Sequence, residues 1–520
     1  MNQMEIRRNQ ILTIIYIPGI LALMWILSLL GDHGSGYFLL MLQCCLLPVF
    51  VFFLFLPHVM EKLIRSRMSK RQFKNADKVW KSGLFYALIC GVFSAVLLWI
   101  CSGLFADKIL GIPYGEMGLR VLIPIVFLVS IIYALKGYFQ GMGSGMPTLI
   151  SEVVFLLFSN VFGYVFLTGF KNYGSKVAAL LQNSEFEAMY SSTGFSLGVL
   201  VGGIFTVVFL VMLFLISGRG RRNSMREGMK MTENMPDTFR LILLSMVPYF
   251  SVGICLFLPG LLDAFFYRIM LPLGVSYVES YSVLFTDYIL WLLLFSMPVL
   301  AGVVGLAGKY INLIKKEEYK HARDCMHASL LWIFMTGGLF SVTACTLGQE
   351  KFRFAGLLIF LLVTAFFLGL ILWKIGRTKE ILISFICASL GHILTSFISL
   401  KMTEGNVDSI LYAYIAQMVL MILFLGSSLF KTYRIGVDIA RTILFPALSV
   451  AIAGVVILLL GKILLPKFGN VTGVLLCVLA GWLLYLLLII ILRCLRVRDL
   501  YVIPGGKTII FLGKTLHFWR

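Results

Sequence analysis

The chain contains 520 residues, of which 60% are hydrophobic and only 13% are charged. Soluble domains average about half apolar and a quarter charged residues, so this composition excludes a soluble enzyme, a disordered chain and a disulfide scaffold. A polytopic membrane protein remains, and the formal net charge of +20 lies in short clusters between apolar runs, a distribution that excludes nucleic acid as a partner.

Apolar runs long enough to cross a bilayer recur along the whole chain. A bilayer core about 30 Å thick needs roughly twenty apolar residues in a helix. Runs of that length cover residues 11–30, 37–58, 82–104, 118–135, 148–169, 193–217, 242–268, 282–306, 326–346, 354–373, 380–400, 408–430, 441–461 and 471–492. The sequence therefore predicts an all-α membrane protein with fourteen transmembrane helices.

The basic residues indicate how these helices are oriented. If the N-terminus is cytoplasmic, 34 of the 44 Lys and Arg residues fall on the inside and 10 fall on the outside. The positive-inside rule expects this asymmetry from a correct topology, so both termini are predicted to be cytoplasmic. The basic loops 59–81 and 309–325 are predicted to be amphipathic helices that contact membrane lipids.

Three segments recur in the same order in the two halves of the chain. The matched segments are 18–21 with 259–262, 36–37 with 280–281, and 70–77 with 316–323. Span one thus corresponds to span seven, and an even repeat of six helices returns the chain to the same side of the membrane. The repeat predicts a six-helix lobe with a basic linker in 1–240, a parallel six-helix lobe in 241–432, and helices 13 and 14 with a basic tail in 433–520. Alternating access by rocking of one lobe against the other is the corresponding hypothesis.

Several motifs resemble those of a known transporter family. The stretches are Lys136-Gly137-Tyr138-Phe139-Gln140-Gly141 with Met146-Pro147-Thr148 and Ile150-Ser151-Glu152, then Phe73-Lys74-Asn75-Ala76, Gly260-Leu261-Leu262-Asp263 with Arg268, and Arg498-Asp499-Leu500 with Ile503-Pro504-Gly505-Gly506-Lys507. They resemble the signatures of the polysaccharide flippase family, in particular its stage V sporulation protein B-like members, within the multidrug/oligosaccharidyl-lipid/polysaccharide (MOP) exporter superfamily.

The resemblance implies a fold, a function and a location. The fold would be two pseudo-symmetric lobes, as in multidrug and toxin extrusion transporters. The function would be movement of a lipid-linked oligosaccharide or polysaccharide precursor to the outer leaflet of a bacterial plasma membrane, without enzymatic chemistry. Lys136 stands where the family usually has arginine, Glu152 where it has glutamine, and Phe155 where it has glutamate, so the chain is a divergent member.

Ionisable residues inside spans are costly and are candidate site residues for that reason. Asp263 and Arg268 lie toward the outer end of span seven, and Asp287 lies in the outer part of span eight. Arg268 could bind an anionic phosphate, with Asp263 or Asp287 as its partner in the empty cavity. A structural ion pair, or snorkelling of Arg268 to the interface, is the alternative interpretation.

A second group of candidate substrate-binding residues lies near the cytoplasmic ends of spans four and five. Lys136 and Gln140 could contact substrate, or Lys136 could be an orientation anchor. Glu152 could line the cavity, or it could stabilise the start of its helix. The ten cysteines fall mostly in apolar runs and show no metal-binding spacing, so neither a metal nor a cofactor is expected.

Three other functions compete with the flippase hypothesis. A multidrug or toxin antiporter of the same fold needs acids in the first lobe, where Glu152 is the main candidate. A membrane glycosyltransferase or glycan ligase would need a large external loop with paired carboxylates, and the loops are short. A transport-inactive scaffold in a complex of glycan-biosynthesis proteins is the third hypothesis.

Overall fold

The structure is a computed structural model that describes residues 3–510 apart from 113, 218–232, 272–275, 348–352, 434–437, 439, 469, 493, 495, 496, 504, 505 and 507–509. Within these residues the regular elements are helices. The chain divides into two compact units. The first unit comprises residues 15–286 and 396–407, and the second comprises 1–14, 287–395 and 408–520.

The first unit is built mainly from long helices. These are α1 (Gln3–Pro48, from residue 15 onward), α2 (Leu56–Ser69), α3 (Phe73–Ile100), α4 (Gly115–Leu122), α5 (Pro124–Gly141), α6 (Met146–Leu181), α7 (Glu185–Ile216), α8 (Met235–Met270) and α9 (Tyr277–Leu284). Wider π-helical turns follow α1 at Val49–Phe53 and α3 at Leu104–Leu110. Prolines occupy the first turn of α2, α5, α6 and α8, where the missing N–H would lack a helical partner in any case.

The second unit contains the remaining helices. These are α10 (Leu290–Lys315), α11 (Tyr319–Leu347), α12 (Arg353–Ile375), α13 (Thr378–Met402, up to residue 395), α14 (Ile410–Tyr433), α15 (Phe445–Phe468), α16 (Asn470–Ile491) and α17 (Val497–Leu500). Tyr485 on α16 donates its hydroxyl proton to the carbonyl of Phe334 on α11, at 2.7 Å. Trp482 donates to the hydroxyl of Thr343, at 2.9 Å. These bonds fasten the last span, α16, to α11, and α15 packs in the same apolar core.

The predicted spans agree with the observed helices. In the described residues, 12 helices are long and apolar enough to cross a membrane, or 13 when the pair within α10, bent by 43°, is counted as one span. The first of these, Tyr16–Ser69, contains the first two predicted spans. Each of the fourteen predicted runs therefore lies on a helix, and the prediction of an all-α, multi-pass membrane protein is confirmed.

A glycine separates the first two spans. Gly31 has φ 73° and ψ 169°, a backbone conformation that is essentially restricted to glycine. Pro18, by contrast, lies inside α1 without ending it. The direction of the chain therefore changes at Gly31, and the connection that follows it leads directly into the second span.

Helices α6 and α7 form a closely packed hairpin in the first unit. Gly194, Gly198 and Gly202 are spaced four apart on α7, the small-residue pattern that allows two helices in a membrane to approach. A Cβ atom on Gly198 would lie 2.2 Å from the Cα of Gly163 on α6. A Cβ atom on Gly202 would lie 2.0 Å from the Ser159 hydroxyl. Side chains at Gly198 and Gly202 would push α6 away from α7. The glycines therefore determine how closely α6 packs on α7.

The two compact units follow the packing of the helices, and their boundaries do not coincide with those of the predicted internal repeat. Helix α8 contains the seventh span and falls in the first unit together with the six spans before it. The division into lobes at residues 240 and 432 stays a prediction. The basic linker at 218–232 and most of the C-terminal tail lie outside the described residues.

Candidate functional site

A cavity of about 300 Å³ lies within the first unit. Its walls come from α1, α5, α6 and α7. The lining residues are Leu23, Phe38, Leu42, Cys45, Leu46, Val49, Ile125, Val129, Ile132, Tyr133, Lys136, Glu152, Phe155, Leu156, Ser159, Asn160, Phe195, Val199 and Thr206. Most of this wall is aliphatic or aromatic, so the few polar side chains define what the cavity can bind.

Helical spacing places Lys136 on the cavity wall. Ile125, Val129 and Ile132 precede it at intervals of three and four residues on α5, so the four side chains share one face. Lys136 is only 5% exposed. Its ammonium group lies 5.0 Å from the ring centre of Tyr133, a cation–π distance. The lysine thus enters the cavity with most of its surface removed from water.

Glu152 is the ionic partner of Lys136. The Lys136 Nζ donates to Glu152 Oε1 across the turn that joins α5 to α6. The Glu152 side chain is 40% exposed, so the carboxylate keeps access to solvent while the ammonium does not. Because burying a charge without a partner is strongly unfavourable, a lysine at this position depends on the carboxylate of Glu152. The structure brings together two of the residues that the sequence selected separately.

Two further polar residues complete this wall on α6. Asn160 donates from Nδ2 to the carbonyl of Gly19, at 3.0 Å, and so ties α6 to the turn of α1 that follows Pro18. The Ser159 hydroxyl is buried and makes no hydrogen bond to any described residue.

The sequence prediction omitted Tyr133, Ser159 and Asn160. A signal was available for two of them. Tyr133 lies three residues before Lys136, on the same helical face. Asn160 is an amide inside a span, where polar side chains are rare and usually face the protein interior. Ser159 gives no such signal, because serines in membrane helices often bond to their own backbone.

Gln140 lies beside the cavity, outside its lining. Its Nε2 donates to the hydroxyl of Thr148, at 3.3 Å, across the turn between α5 and α6. Its backbone carbonyl accepts a bond from Arg65, also at 3.3 Å. The geometry assigns Gln140 to the turn that sets the distance between Lys136 and Glu152, and its contact with substrate stays a prediction.

Arg268 is engaged by backbone carbonyls. Its guanidinium donates to the carbonyls of Lys108 at 2.5 Å, Ile109 at 3.3 Å and Asp107 at 3.3 Å. These carbonyls close the π-helical turn after α3, which ends at Gly111 with φ 63°. A Cβ atom at Gly111 would lie 2.3 Å from Arg268 Nε. Arg268 therefore caps the end of a helix here, and a substrate role for it stays a prediction.

Asp263 lies deeper in the same helix, α8. It is 1% exposed, and the hydroxyl of Ser396 donates to its Oδ1 at 2.5 Å. One turn earlier, the Gly260 carbonyl accepts a bond from Gln43 at 2.9 Å. Asp263 thus belongs to a buried polar group separate from the cavity of Lys136. The side chain of Asp287 lies outside the described residues, so its predicted role is untested.

Comparison with known proteins places the fold in a class. No protein-family model and no curated protein matches the sequence. Among solved structures, the lipid II flippase MurJ in an inward closed conformation has a TM-score of 0.60 at 15% identity, over 92% of this chain and 97% of that one. An outward-facing multidrug resistance MATE transporter has 0.56 at 15% identity, over 82% and 96%. A MOP superfamily transporter from Pyrococcus furiosus has 0.53 at 17% identity, over 82% and 96%.

These likenesses show the fold. The chain has the two-lobed fold of MOP superfamily transporters, as the motifs implied. Membership in the MOP superfamily, and within it in the polysaccharide flippase family, stays a prediction that rests on the motifs. Among the described residues no group of three His, Cys, Asp or Glu side chains is placed to hold a metal ion.

Proposed function

We propose that this protein is a flippase that moves a lipid-linked oligosaccharide or lipid-linked polysaccharide precursor from the inner to the outer leaflet by alternating access. The observation that carries the proposal is the buried Lys136, which faces a largely apolar and aromatic cavity inside a MOP transporter fold. A phosphate-linked sugar cannot enter hydrocarbon, because its charges and hydroxyls would lose their water. A cavity that offers a cation and hydrogen-bonding groups can replace that water.

The residues of the cavity have distinct roles in this proposal. Lys136 binds the phosphate as a charge-assisted donor, and Glu152 neutralises the lysine when the cavity is empty. When a phosphate arrives, the carboxylate turns toward solvent, which its 40% exposure permits. Asn160, which lines the cavity, offers hydrogen bonds to sugar hydroxyls.

The size of the cavity limits what it holds. Ligand sites typically span about 300 to 1,000 Å³, so 300 Å³ accommodates a phosphate with roughly one sugar. The polyprenyl tail would remain in lipid, and the rest of the glycan would lie outside this cavity. We therefore assign to the cavity the part of the substrate that every lipid-linked glycan shares, the phosphate and the first sugar.

The structural comparisons support a flippase. The match to MurJ, named as a lipid II flippase, covers 92% of this chain, whereas the matches to MATE transporters cover 82%. A multidrug antiporter would need a carboxylate available to an organic cation, and Glu152 is already neutralised by Lys136. We infer a bacterial plasma membrane with both termini cytoplasmic, where glycan-biosynthesis proteins would supply the substrate.

A leaflet-sensitive assay tests the proposal. The full-length protein is reconstituted in liposomes with a fluorescent lipid-linked sugar, and an impermeant quencher reports the outer-leaflet fraction over time. Wild type should flip the lipid, and Lys136→Gln should be about tenfold slower, since a charge-assisted hydrogen bond is lost. The matched control is Arg120→Gln, which removes another ion-paired cation of the same span, away from the cavity.

Three outcomes are informative. Equal rates for wild type and Lys136→Gln would overturn the role of the lysine. Absence of flipping by wild type, in a preparation that folds and binds the lipid, would favour a transport-inactive scaffold. Transport of organic cations in place of the lipid would favour the antiporter.

A further inference from the structure

A histidine lies between two carboxylates at the end of the first unit opposite the turn between α5 and α6. His33 follows the break at Gly31, and its side chain is 27% exposed. Its Nε2 lies 2.8 Å from Glu185 Oε1, and its Nδ1 lies 3.2 Å from Glu279 Oε1. Glu185 begins α7, and Glu279 is in the first turn of α9, where the eighth span starts.

This geometry requires a particular protonation state. A neutral imidazole has one N–H donor and one acceptor nitrogen, whereas the imidazolium has two donors. Because both ring nitrogens face carboxylate oxygens, both contacts with ionised glutamates are hydrogen bonds only when His33 carries the extra proton. Loss of that proton would leave a nitrogen lone pair facing one carboxylate.

Neighbouring groups hold one carboxylate more firmly than the other. The Tyr37 hydroxyl donates to Glu185 Oε2 at 2.6 Å, and Asn183 Oδ1 accepts from the Glu185 backbone N–H at 3.0 Å. The Glu279 side chain is 53% exposed, and the contact with His33 is the ion pair that the described residues show for it. The contact that breaks on deprotonation is therefore the one to Glu279.

The contact lies where the second and eighth spans meet. The Ser35 and Ser282 hydroxyls are 2.5 Å apart, which places the start of the eighth span against the start of the second. A Cβ atom at Gly36 would lie 2.3 Å from the Val278 carbonyl oxygen, so the two backbones touch. Release of Glu279 would remove the ionic part of this junction and leave the small hydroxyl and backbone contacts.

We infer that His33, Glu185 and Glu279 form a proton-binding site that fixes the start of the eighth span against the second span, and that loss of the proton releases it. Other charged and titratable groups near the site are Asp32, Tyr37, Tyr114, and Lys171 with Glu187, whose Nζ and Oε1 are 4.0 Å apart. The inference goes beyond the proposed function, because it does not depend on what the protein carries. With a cytoplasmic N-terminus, the site reads external pH.

Cross-linking across the junction tests the site in the full-length protein. Ser35→Cys and Ser282→Cys are introduced together, the protein is solubilised in detergent, and brief oxidation is followed by mass spectrometry of the linked peptide. Detergent exposes both ends of the molecule, so membrane orientation does not enter. The same pair is measured with His33→Gln, and the ratio of the two rates at each pH cancels the pH dependence of thiol oxidation.

The expected ratio differs between the two ends of a scan from pH 5 to 8.5, because the imidazole has two N–H donors only when it is protonated. At pH 5 the protein with His33 should cross-link about threefold faster than His33→Gln, in keeping with a pair of partly exposed ionic contacts. At pH 8.5 the two rates should be equal. Glu279→Gln should abolish the pH-dependent difference in the same way, and Glu116→Gln, in an ion pair that does not touch the junction, should preserve it.

Two results would overturn the inference. One is a ratio that stays constant from pH 5 to 8.5 while both proteins elute as folded monodisperse species. The other is a pH-dependent difference that persists in Glu279→Gln. Neither result would bear on flipping, which is measured in the absence of engineered cysteines.

Discussion

Two ion pairs lie near opposite ends of the same apolar stretch, Gly115–Gly141, and differ in their surroundings. In one, Arg120 Nη2 lies 2.6 Å from Glu116 Oε1, and the two side chains are 47% and 39% exposed. In the other, Lys136 is paired with Glu152, and the lysine side chain is 6% exposed. Each pair joins a basic side chain to a glutamate, but only the second removes a cation from water.

The difference indicates that the buried cation, unlike the exposed one, needs a functional explanation. Arg120 also lies 5.9 Å from the ring centre of Trp99 and 3.1 Å from the Ser102 hydroxyl, beside an open groove of about 510 Å³. Water or lipid headgroups can solvate either member of that pair, so its charges cost little free energy. A buried lysine on a cavity wall lowers stability, and apolar residues at that position would be more stabilising. This difference is the reason for proposing the site at Lys136.

Removing the carboxylate of the buried pair should have the largest effect. Glu152→Gln leaves the Lys136 ammonium without its anionic partner, and the free energy of unfolding should fall by about 2 kcal/mol, less than for a fully buried pair because Glu152 is partly exposed. Thermal unfolding in detergent measures this. An unchanged Tm would show that the lysine is hydrated, and the comparison with the exposed pair would fail.

Removing both members of the buried pair should restore part of the stability that Glu152→Gln loses. In Lys136→Gln/Glu152→Gln no charge is buried, so the double variant should be about 1 kcal/mol more stable than Glu152→Gln alone. The same double variant should flip the lipid about tenfold slower than wild type, as Lys136→Gln does, which separates the stability of the cavity from its function. Strictly additive effects on Tm would contradict coupling between the two side chains.

A neutral contact on the same wall sharpens the comparison. Asn160→Ala removes the bond to the Gly19 carbonyl and should lower the free energy of unfolding by about 1 kcal/mol, the usual contribution of one buried hydrogen bond. The matched control is Asn172→Ala, at an asparagine on the same helix outside the cavity lining. Equal Tm values for Asn160→Ala and wild type would show that α6 is held by packing alone.

The exposed pair should give the smallest effect. Arg120→Gln should change the free energy of unfolding by about 0.5 kcal/mol or less, as is usual for exposed ion pairs, and the flipping rate should be unchanged. A loss larger than that of Glu152→Gln would reverse the order on which the assignment of the site depends.

Much of the fold could be predicted from the sequence. Hydropathy places fourteen apolar runs, and each falls on a helix because no other secondary structure satisfies the backbone of such runs in lipid. The break at Gly31 falls where the first predicted run ends, at residue 30, whereas Pro18, the more obvious helix breaker, stays within α1. A helix tolerates a proline where neighbouring groups bond to the backbone carbonyl that the proline leaves without a partner. The positive φ at Gly31, by contrast, changes the direction of the chain.

The site could be predicted only in part. Lys136 and Glu152 stand out as ionisable residues in apolar surroundings, but their pairing depends on how tightly the turn after α5 closes. The partners of Arg268 could not be foreseen, because they are backbone carbonyls of a π-helical turn and carry no sequence signature. His33 lies in a short connection, and its two carboxylates are 152 and 246 residues away. Only tertiary packing brings such groups together.

Photo-crosslinking tests most directly where the headgroup binds. A lipid-linked sugar carrying a photoreactive group on its first sugar is bound to the reconstituted full-length protein, irradiated and mapped by peptide mass spectrometry. The account predicts labelling of the segments 125–136 and 152–160, competed by unlabelled lipid and lost in Lys136→Gln. Competable labelling confined to other helices, unchanged in that variant, would contradict it.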